Sequence, residues 1–469
     1  MSRFLVTDFH FLITPILMTQ EIKNFHHFPF SFGTDGIRGS IGTPPFTQEY
    51  LMLFGTTLGH WAQKKYAHPS FAFARDTRAS GSFIQSALQT GLLLHEVQLY
   101  DAGILPTPAL YKIASLEKKS ACTLMISASH NPWHDNGIKI TDIAQGKLSL
   151  EDEAALTAAA NIVHTTFSYT TFGTLEQWPT AADQYIQYIC SLFPPHFLRN
   201  LSIVLDCAHG ATGTVAPAIF NLLGAHTIVI NNSPTGKNIN DHCGPLHPAS
   251  LQETVQKTGA ILGFSFDGDG DRILAVNHEG ICKDGDDILY LLMHDPQYIH
   301  DTHVVGTVMT NQALINILQT RHTECVRVPV GDKHVAQYLA SSKQARLGGE
   351  PSGHVMFKEY ALMSDSIYTA LRLIQTVLAT DNMAMHSFEK YPHIMHTIPV
   401  QHRPRLDADP YCSIIAEYTS KVPHGRVLVR YSGTEPVLRV MVEDADAQHA
   451  QKICTLLVKI LTSTLQGTV

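Results

Sequence analysis

No two of the eight cysteines form a C-x-x-C pair; they stand at positions 122, 190, 207, 243, 282, 325, 412 and 454. Scattered cysteines in a large chain read as reduced core thiols of a cytoplasmic protein, without a disulfide framework or a zinc site. The 27 histidines supply no H-E-x-x-H pattern, which sets aside the common metalloprotease arrangement. Basic residues are in the minority, 33 against 41 acidic ones, for a formal net charge of −8. Nucleic acid is therefore not expected as the main partner, because a polyphosphate backbone calls for a basic surface. A phosphorylated small molecule needs only a local basic pocket and stays open. No apolar run reaches the length of about 18 residues that a membrane span requires, so no membrane partner is expected. Phe4 to Met18 is largely apolar and follows Arg3, but Asp8 and His10 interrupt it, and Thr19-Gln-Glu21 offers no small-residue cleavage site. Low-complexity linkers and short-period repeats are also missing.

What is present is enough apolar material for several cores: 469 residues, 44% hydrophobic and 16% charged, predict three or four domains. Short apolar runs alternate with helical patterns. Phe71 to Ala74, Val97 to Tyr100 and Cys122 to Ile126 read as strands, with a helix from about Ser82 presenting Ile84, Ala87, Leu88, Gly91 and Leu92 on one face. The strand, polar loop, helix order recurs at Leu201–Asp206 and Val304–Val308, which predicts three related α/β units with mostly parallel sheets. From about Pro392 the pattern becomes strand, helix, hairpin, helix. That is a smaller α+β domain, its last helix capped by Asp444 or Asp446.

Four loops carry chemistry. The first is Ser127-Ala-Ser-His-Asn-Pro132, continued to Lys139. It ends a buried strand in small and polar residues, so Ser129 is expected to sit exposed at a strand's carboxyl end, with His130 beside it. The second is Asp267-Gly-Asp-Gly-Asp-Arg272. Glycines let a short loop curl and converge three carboxylates, which repel unless a cation lies between them. Hard oxygen donors with room for a phosphate oxygen describe a Mg²⁺ site. An EF-hand is rejected, because its sixth and twelfth positions would be Arg272 and His278. The third, Gly348-Gly-Glu-Pro-Ser-Gly-His354, offers an acceptor, a hydroxyl and an imidazole that suit sugar hydroxyls, in Glu350, Ser352 and His354. The fourth, Arg430-Tyr-Ser-Gly-Thr-Glu-Pro436 with Arg439 following, offers guanidinium forks and hydroxyls for a phosphate. An exposed serine, a cation site, a hydroxyl-reading loop and a phosphate-holding loop together specify phosphoryl transfer to and from a sugar phosphate.

With these four loops in this order, the chain from about Phe32 to its end resembles the α-D-phosphohexomutase superfamily. The Phe32-Gly-Thr-Asp-Gly-Ile-Arg-Gly39, Asp206-Cys-Ala-His-Gly-Ala-Thr212 and Asn238-Ile-Asn240…Cys243-Gly244 stretches point to its glucosamine branch. The resemblance implies three related α/β domains with mixed sheets and a smaller C-terminal α+β domain, arranged around a central cleft. Their expected bounds are 31–178, 179–281, 282–390 and 391–469, after an extension over residues 1–30. Translation is expected to start at Met18, or the residues before it to be disordered, so that deleting residues 1–17 leaves stability and rate unchanged.

The resemblance makes Ser129 the phosphoserine, and Asp267, Asp269 and Asp271, with the serine phosphate, the ligands of one Mg²⁺ per chain. Arg38, Lys139 and Arg272 surround the transferring phosphoryl group, with Lys139 moving the proton and His130 following the serine. Glu350, Ser352 and His354 hold the sugar. Arg430, Ser432, Gly433, Thr434 and Arg439 bind the non-reacting phosphate. The implied reaction converts glucosamine 6-phosphate to glucosamine 1-phosphate, with glucosamine or glucose 1,6-bisphosphate as intermediate or activator, toward UDP-N-acetylglucosamine and the bacterial envelope. It leaves room for a homodimer and does not name the first phosphoryl donor to Ser129. Rival readings are a phosphoglucomutase or phosphomannomutase and, more distantly, a non-catalytic phosphosugar-binding protein. Three departures from the pattern stand out: Ser364-Asp-Ser366 where Gly-Asp-Gly is usual, Pro245-Leu246 before His247-Pro248, and Lys333 where arginine is common. None of these is expected to touch the four loops.

Overall fold

The structure, a computed structural model, describes residues 32–33, 36–162, 171–432 and 436–467. The expectations for residues 1–30, and those for Gly433 and Thr434, lie outside the described residues. Four sheets follow one another along the chain. The first runs in the order Ile37–Ser40, Asp135–Asp142, Cys122–Ile126, Ser70–Arg75, Gln98–Ile104, Thr174–Gln177. Its last four strands are parallel, and Asp135–Asp142 returns antiparallel to Cys122–Ile126 with Ile126 opposite Ile138. The second sheet is Cys282–Lys283, Ile273–Asn277, Leu262–Phe266, Ser202–Asp206, His226–Ile230, and the third is Glu324–Val328, His303–Thr307, Leu347–Gly349, Val355–Phe357. The fourth is antiparallel, with Val437–Glu443 between His393–Pro399 and Arg426–Tyr431.

The three α/β units share one device. In each, a core strand ends in a polar loop and the chain comes straight back as an antiparallel partner. Cys122–Ile126 returns as Asp135–Asp142, Leu262–Phe266 as Ile273–Asn277, and Leu347–Gly349 as Val355–Phe357. The first two of these core strands are buried along their full length, as strands with helices over both faces must be. The polar residues collect in the turns. The serine, aspartate and Glu350–His354 loops are therefore equivalent turns at strand ends.

A continuous apolar cluster runs through all three α/β units, joining Ala109, Met125 and Tyr185 to Phe220, Phe264 and Leu289, and on to Leu314, Phe357 and Ile374. The C-terminal unit has its own core around Tyr411, Leu438, Val440, Ile453 and Leu457. Polar contacts tie it to the third unit. Glu443 pairs with Arg426 and accepts from Gln312 N–H at 3.2 Å, and Arg426 also donates to the Val308 carbonyl at 2.6 Å. Asp446 caps the last helix, accepting from the N–H groups of Gln448 and His449.

The helix Gly81–Leu92 carries the predicted apolar face, and all five of its named residues are buried. It crosses the helix Gln48–Lys65 at a distance only glycine permits. A Cβ on Gly55 would lie 2.2 Å from the Leu88 carbonyl oxygen, and one on Gly91 would lie 2.0 Å from that of Met52. Gly55→Ala must push two backbones apart, and we expect it to cost about 1–3 kcal/mol, the usual range for overpacking. Denaturant titration against wild type measures it; an unchanged midpoint would contradict the contact.

Candidate active site

Ser129 was expected to be exposed. It is instead buried, 1% exposed, because the aspartate loop of the second unit lies over it. Its Oγ donates to Asp267 Oδ2 at 2.6 Å, and its N–H donates to Ser127 Oγ at 2.9 Å. Ser129 holds a left-handed backbone, φ +54°, which costs a non-glycine residue on the order of 1–3 kcal/mol and persists where the surroundings enforce it. Two donors from different units do so. Arg78 Nη2 reaches the carbonyls of Ser129 at 3.3 Å and Asn131 at 2.6 Å, and Asn240 Nδ2 reaches the same pair at 2.9 and 3.1 Å. Arg78 is in turn paired with buried Asp76. A Cβ on Gly268 would stand 2.7 Å from the Ser129 carbonyl oxygen, so the two loops can close only with glycine there.

The turn between Phe266 and Ile273 does converge its carboxylates. Among the described residues, Asp267, Asp269 and Asp271 bring ligand oxygens within 4.8 Å of one another, all buried. Asp267 Oδ1 accepts the N–H groups of Gly270, Asp271 and Arg272, each at 3.1 Å, which curls the loop around it. Asp269 Oδ2 accepts from the Thr107 hydroxyl, and Lys139 Nζ lies 2.7 Å from both Asp269 Oδ2 and Asp271 Oδ2. Lys139 arrives there because it sits opposite Met125 on the return strand.

The electrostatics report too much negative charge in too little solvent. Burial, then Asp271 and Asp269, push the Asp267 carboxyl up to about 7, and burial with Asp271 also raises Asp269. Burial opposes ionisation of Asp271 as well, but Lys139 and His354 outweigh it and hold that carboxyl well below its ordinary range. Among the described residues Asp269 Oδ1 is buried with no hydrogen-bond partner, and Asp271 Oδ1 has no well-formed one, with His354 Nε2 at 3.3 Å. Orphaned hard oxygens in a buried, mutually repelling cluster fit a divalent cation.

His130 Nδ1 lies 3.4 Å from Ser129 Oγ. Burial, then Arg272 and Arg38, press its imidazole down to about 3, so it stands neutral beside the serine. Arg38 reaches this neighbourhood from the edge strand, opposite Gly137.

The third loop is largely enclosed. Glu350 and His354 are buried and spend their hydrogen bonds on protein groups, and only Ser352 is exposed. His354 Nδ1 meets Glu350 Oε2 at 3.0 Å, and Glu350 Oε1 accepts Gly331 N–H at 2.9 Å. His354 Nε2 lies 3.3 Å from Asp271 Oδ1 and from Arg272 Nε. Burial and Arg272 work against its protonation, but Asp271 and Glu350 outweigh them and hold it up at about 10. The loop is thus bonded to the aspartate cluster, a link that residue spacing alone could not reveal.

In the fourth loop Arg430 and Arg439 lie directly opposite each other on paired strands. Burial and then Arg439 lower the Arg430 guanidinium. Two facing cations in a half-buried hairpin are suited to an anion between them. Ser432 is buried at the hairpin end, where its N–H donates to the Val437 carbonyl at 2.9 Å.

Comparison with known proteins bears on this arrangement. Descriptions of phosphoglucomutase/phosphomannomutase match four consecutive parts of the chain: α/β/α domain I over residues 29–165, domain II over 183–280, domain III over 284–392 and the C-terminal domain over 421–460. The chain belongs to this family, the α-D-phosphohexomutases. Among its relatives, the phosphoglucosamine mutase of Acinetobacter baumannii (strain ACICU) is 38% identical over 93% of this chain and 99% of its own length. That of Acinetobacter baylyi is 40% identical over 88% of this chain and 94% of its own. The fold is shared with a phosphoglucomutase/phosphomannomutase family protein from Burkholderia thailandensis, at TM-score 0.76, 23% identity, and coverage of 91% of this chain and 97% of that one. It is shared also with the N-acetylphosphoglucosamine mutase of Aspergillus fumigatus, solved with GlcNAc-6P and magnesium, at TM-score 0.62, 17% identity, and coverage of 94% and 97%.

Sequence reasoning missed several groups in this family member's site. Thr107, in the Leu105-Pro-Thr-Pro108 loop, bonds Asp269 through its hydroxyl and through its N–H, the latter to the Asp269 carbonyl at 2.9 Å. Arg78 and Asn240 clamp the serine loop. A polar stretch after a strand was visible in each case, but the partner lies far away in sequence. Ion pairs Lys147–Asp332 at 2.6 Å and Lys333–Glu153 at 2.8 Å join the first and third units where both border a cleft that Lys139 and Asp271 also line. Among the described residues no helix is long and apolar enough to cross a membrane.

Proposed function

We propose that the chain interconverts glucosamine 6-phosphate and glucosamine 1-phosphate, with Ser129 carrying the phosphoryl group in the active form. The observation that carries this reading is the buried contact of Ser129 Oγ with Asp267 Oδ2 at 2.6 Å, inside a trio of aspartates. The 38–40% identity to phosphoglucosamine mutases over most of the chain supports the choice of sugar. In the first half-reaction the Ser129 Oγ–phosphorus bond breaks and a sugar-oxygen–phosphorus bond forms, giving glucosamine 1,6-bisphosphate. The proton of the sugar hydroxyl passes to Ser129 Oγ, with Lys139 as its proposed carrier. The second half-reaction is the reverse with the sugar turned end for end. Arg38, Arg272 and neutral His130 surround the transferring group.

Asp267, Asp269 and Asp271 would hold one Mg²⁺, which when bound neutralises charge on the transferring phosphoryl group. Arg430, Ser432, Gly433, Thr434 and Arg439 are assigned to the other phosphate. Glu350, Ser352 and His354 are assigned to the sugar, Ser352 directly and the buried pair by shaping the loop. Four domains with bounds at 31–178, 179–281, 282–390 and 391–469, and a cytoplasmic location, complete the reading.

Both phosphates of the bisphosphate must be accepted in turn at each end of the site, so contacts common to both orientations cannot read C2. A site that pairs the amino group at C2 leaves its own polar groups unpaired when that group is absent. Glucosamine 1-phosphate is therefore expected to exceed glucose 1-phosphate in kcat/KM by at least roughly tenfold, about 1.4 kcal/mol of transition-state stabilisation. A coupled assay of glucosamine, glucose and mannose phosphates on one phosphorylated preparation tests this. Equal or reversed efficiencies would place the chain in the glucose/mannose branch.

A further inference from the structure

The segment Ser364-Asp-Ser366, expected to stay clear of the four loops, is in fact bonded to one of them. Ser364 Oγ donates to the Asp271 carbonyl at 2.7 Å and accepts Val355 N–H at 2.9 Å. Ser366 Oγ donates to the Gly270 carbonyl at 2.7 Å, and its own N–H reaches the same oxygen at 3.2 Å. Both side chains are buried, 1% and 0% exposed. Between them Asp365 caps the helix Ser366–Ala379 through Ile367 and Tyr368 N–H, and accepts the Tyr185 hydroxyl at 2.8 Å and that of Tyr360 at 2.6 Å. The segment is thus fixed from three sides before it touches the aspartate loop.

We propose that Ser364 and Ser366 are positioning residues for the cation site, an inference that rests on the reading of the aspartate loop as that site. Asp267 Oδ1 already organises the loop from within, through the N–H groups of residues 270 to 272. The two serine hydroxyls grip the same stretch from outside by its carbonyls. Asp271 is consequently held twice by the third unit: at its backbone by Ser364, and at its carboxylate by His354, one residue before the Val355 that Ser364 also bonds. Glycine at either serine position would supply no hydroxyl, so these two serines couple the third unit to the aspartate loop through bonds a glycine cannot make. Their effect is to pre-organise oxygens that otherwise repel, which raises affinity by lowering the cost of ordering the site.

The test uses the full chain and Mn²⁺ as the probe, read by the electron paramagnetic resonance of the free ion. Wild type is expected to bind one Mn²⁺. Ser364→Ala/Ser366→Ala is expected to bind it about tenfold more weakly, from two lost bonds to the aspartate loop that each contribute on the order of a factor of three. The Mg²⁺ concentration giving half-maximal rate should rise by the same factor, with a smaller change in kcat at saturating Mg²⁺. Ser364→Ala leaves two buried backbone groups unpaired, so Ser366→Ala alone, which keeps the N–H bond to Gly270, serves if the double variant does not fold. Thr376→Val, on the same helix, removes a buried hydroxyl bonded to Asp295 at 2.7 Å, and should lower the melting temperature without moving the Mn²⁺ affinity. Equal Mn²⁺ affinity in wild type and the serine variants, or an equal shift in Thr376→Val, overturns the positioning role. Absence of Mn²⁺ binding by wild type overturns the cation-site reading itself.

Discussion

Ser129→Ala is expected to lose mutase activity by at least about a thousandfold, on the order of 4 kcal/mol of barrier, while staying folded. The loss follows from chemistry that alanine cannot supply. Without Oγ no phosphoryl group can be held between the two half-reactions, and neither a sugar phosphate nor a bisphosphate can exchange it with the enzyme. The fold should survive because the loop is fixed by its backbone. Arg78 and Asn240 hold the carbonyls of residues 129 and 131, and the Ser127 hydroxyl accepts the 129 N–H. Besides the 3.4 Å contact with His130 Nδ1, the bond lost is Oγ to Asp267, which removes a donor from a carboxylate that keeps three backbone N–H groups on its other oxygen. Intact mass and peptide spectra of active wild type should place a phosphate on Ser129, and circular dichroism of the variant should match wild type. Phosphate found elsewhere, or full activity without any, would sink the role assigned to Ser129.

The serine and aspartate loops were legible because each packs its chemistry into six or seven consecutive residues at the end of an apolar strand, where local pattern and function coincide. The three-unit architecture was legible for the same reason, since the strand, loop, helix order repeats at intervals that a sequence displays. What could not be read is how the loops meet. Ser129 is buried by a loop 138 residues away, Asp269 is bonded by Thr107, and Asp271 by Ser364. These contacts depend on the docking of separate sheets over a shared apolar core, which no local periodicity encodes. The partners of Glu350 and His354 were hidden in the same way. Residue type predicted what they can bond, but burial decided that they bond each other and Asp271.

Asp269→Asn is expected to weaken cation binding and to slow phosphoryl transfer by orders of magnitude. In the wild-type cluster Asp267, Asp269 and Asp271 bring three carboxylates together, with Lys139 Nζ 2.7 Å from two of them as the nearest cation. The amide introduced by this substitution would keep an oxygen for the Thr107 hydroxyl and change the side-chain volume little, so packing is preserved while one negative charge disappears. With that oxygen kept on Thr107, the side now held by Asp269 Oδ1 loses a hard oxygen ligand and presents an N–H₂ that a cation repels. The effect on stability should have opposite signs with and without the ion. Without a divalent cation the substitution relieves repulsion in a site where burial already opposes charge, so the variant should be at least as stable as wild type. With Mg²⁺ at one hundred times the dissociation constant, wild type should gain about 2.7 kcal/mol by mass action, and the variant much less. Thermal unfolding of both proteins with excess chelator and with excess Mg²⁺ separates the two terms, and turnover under the same two conditions reads the chemistry. Wild-type turnover that continues unchanged in excess chelator, or a Mg²⁺-induced rise in melting temperature equal in the two proteins, would remove Asp269 from the cation site.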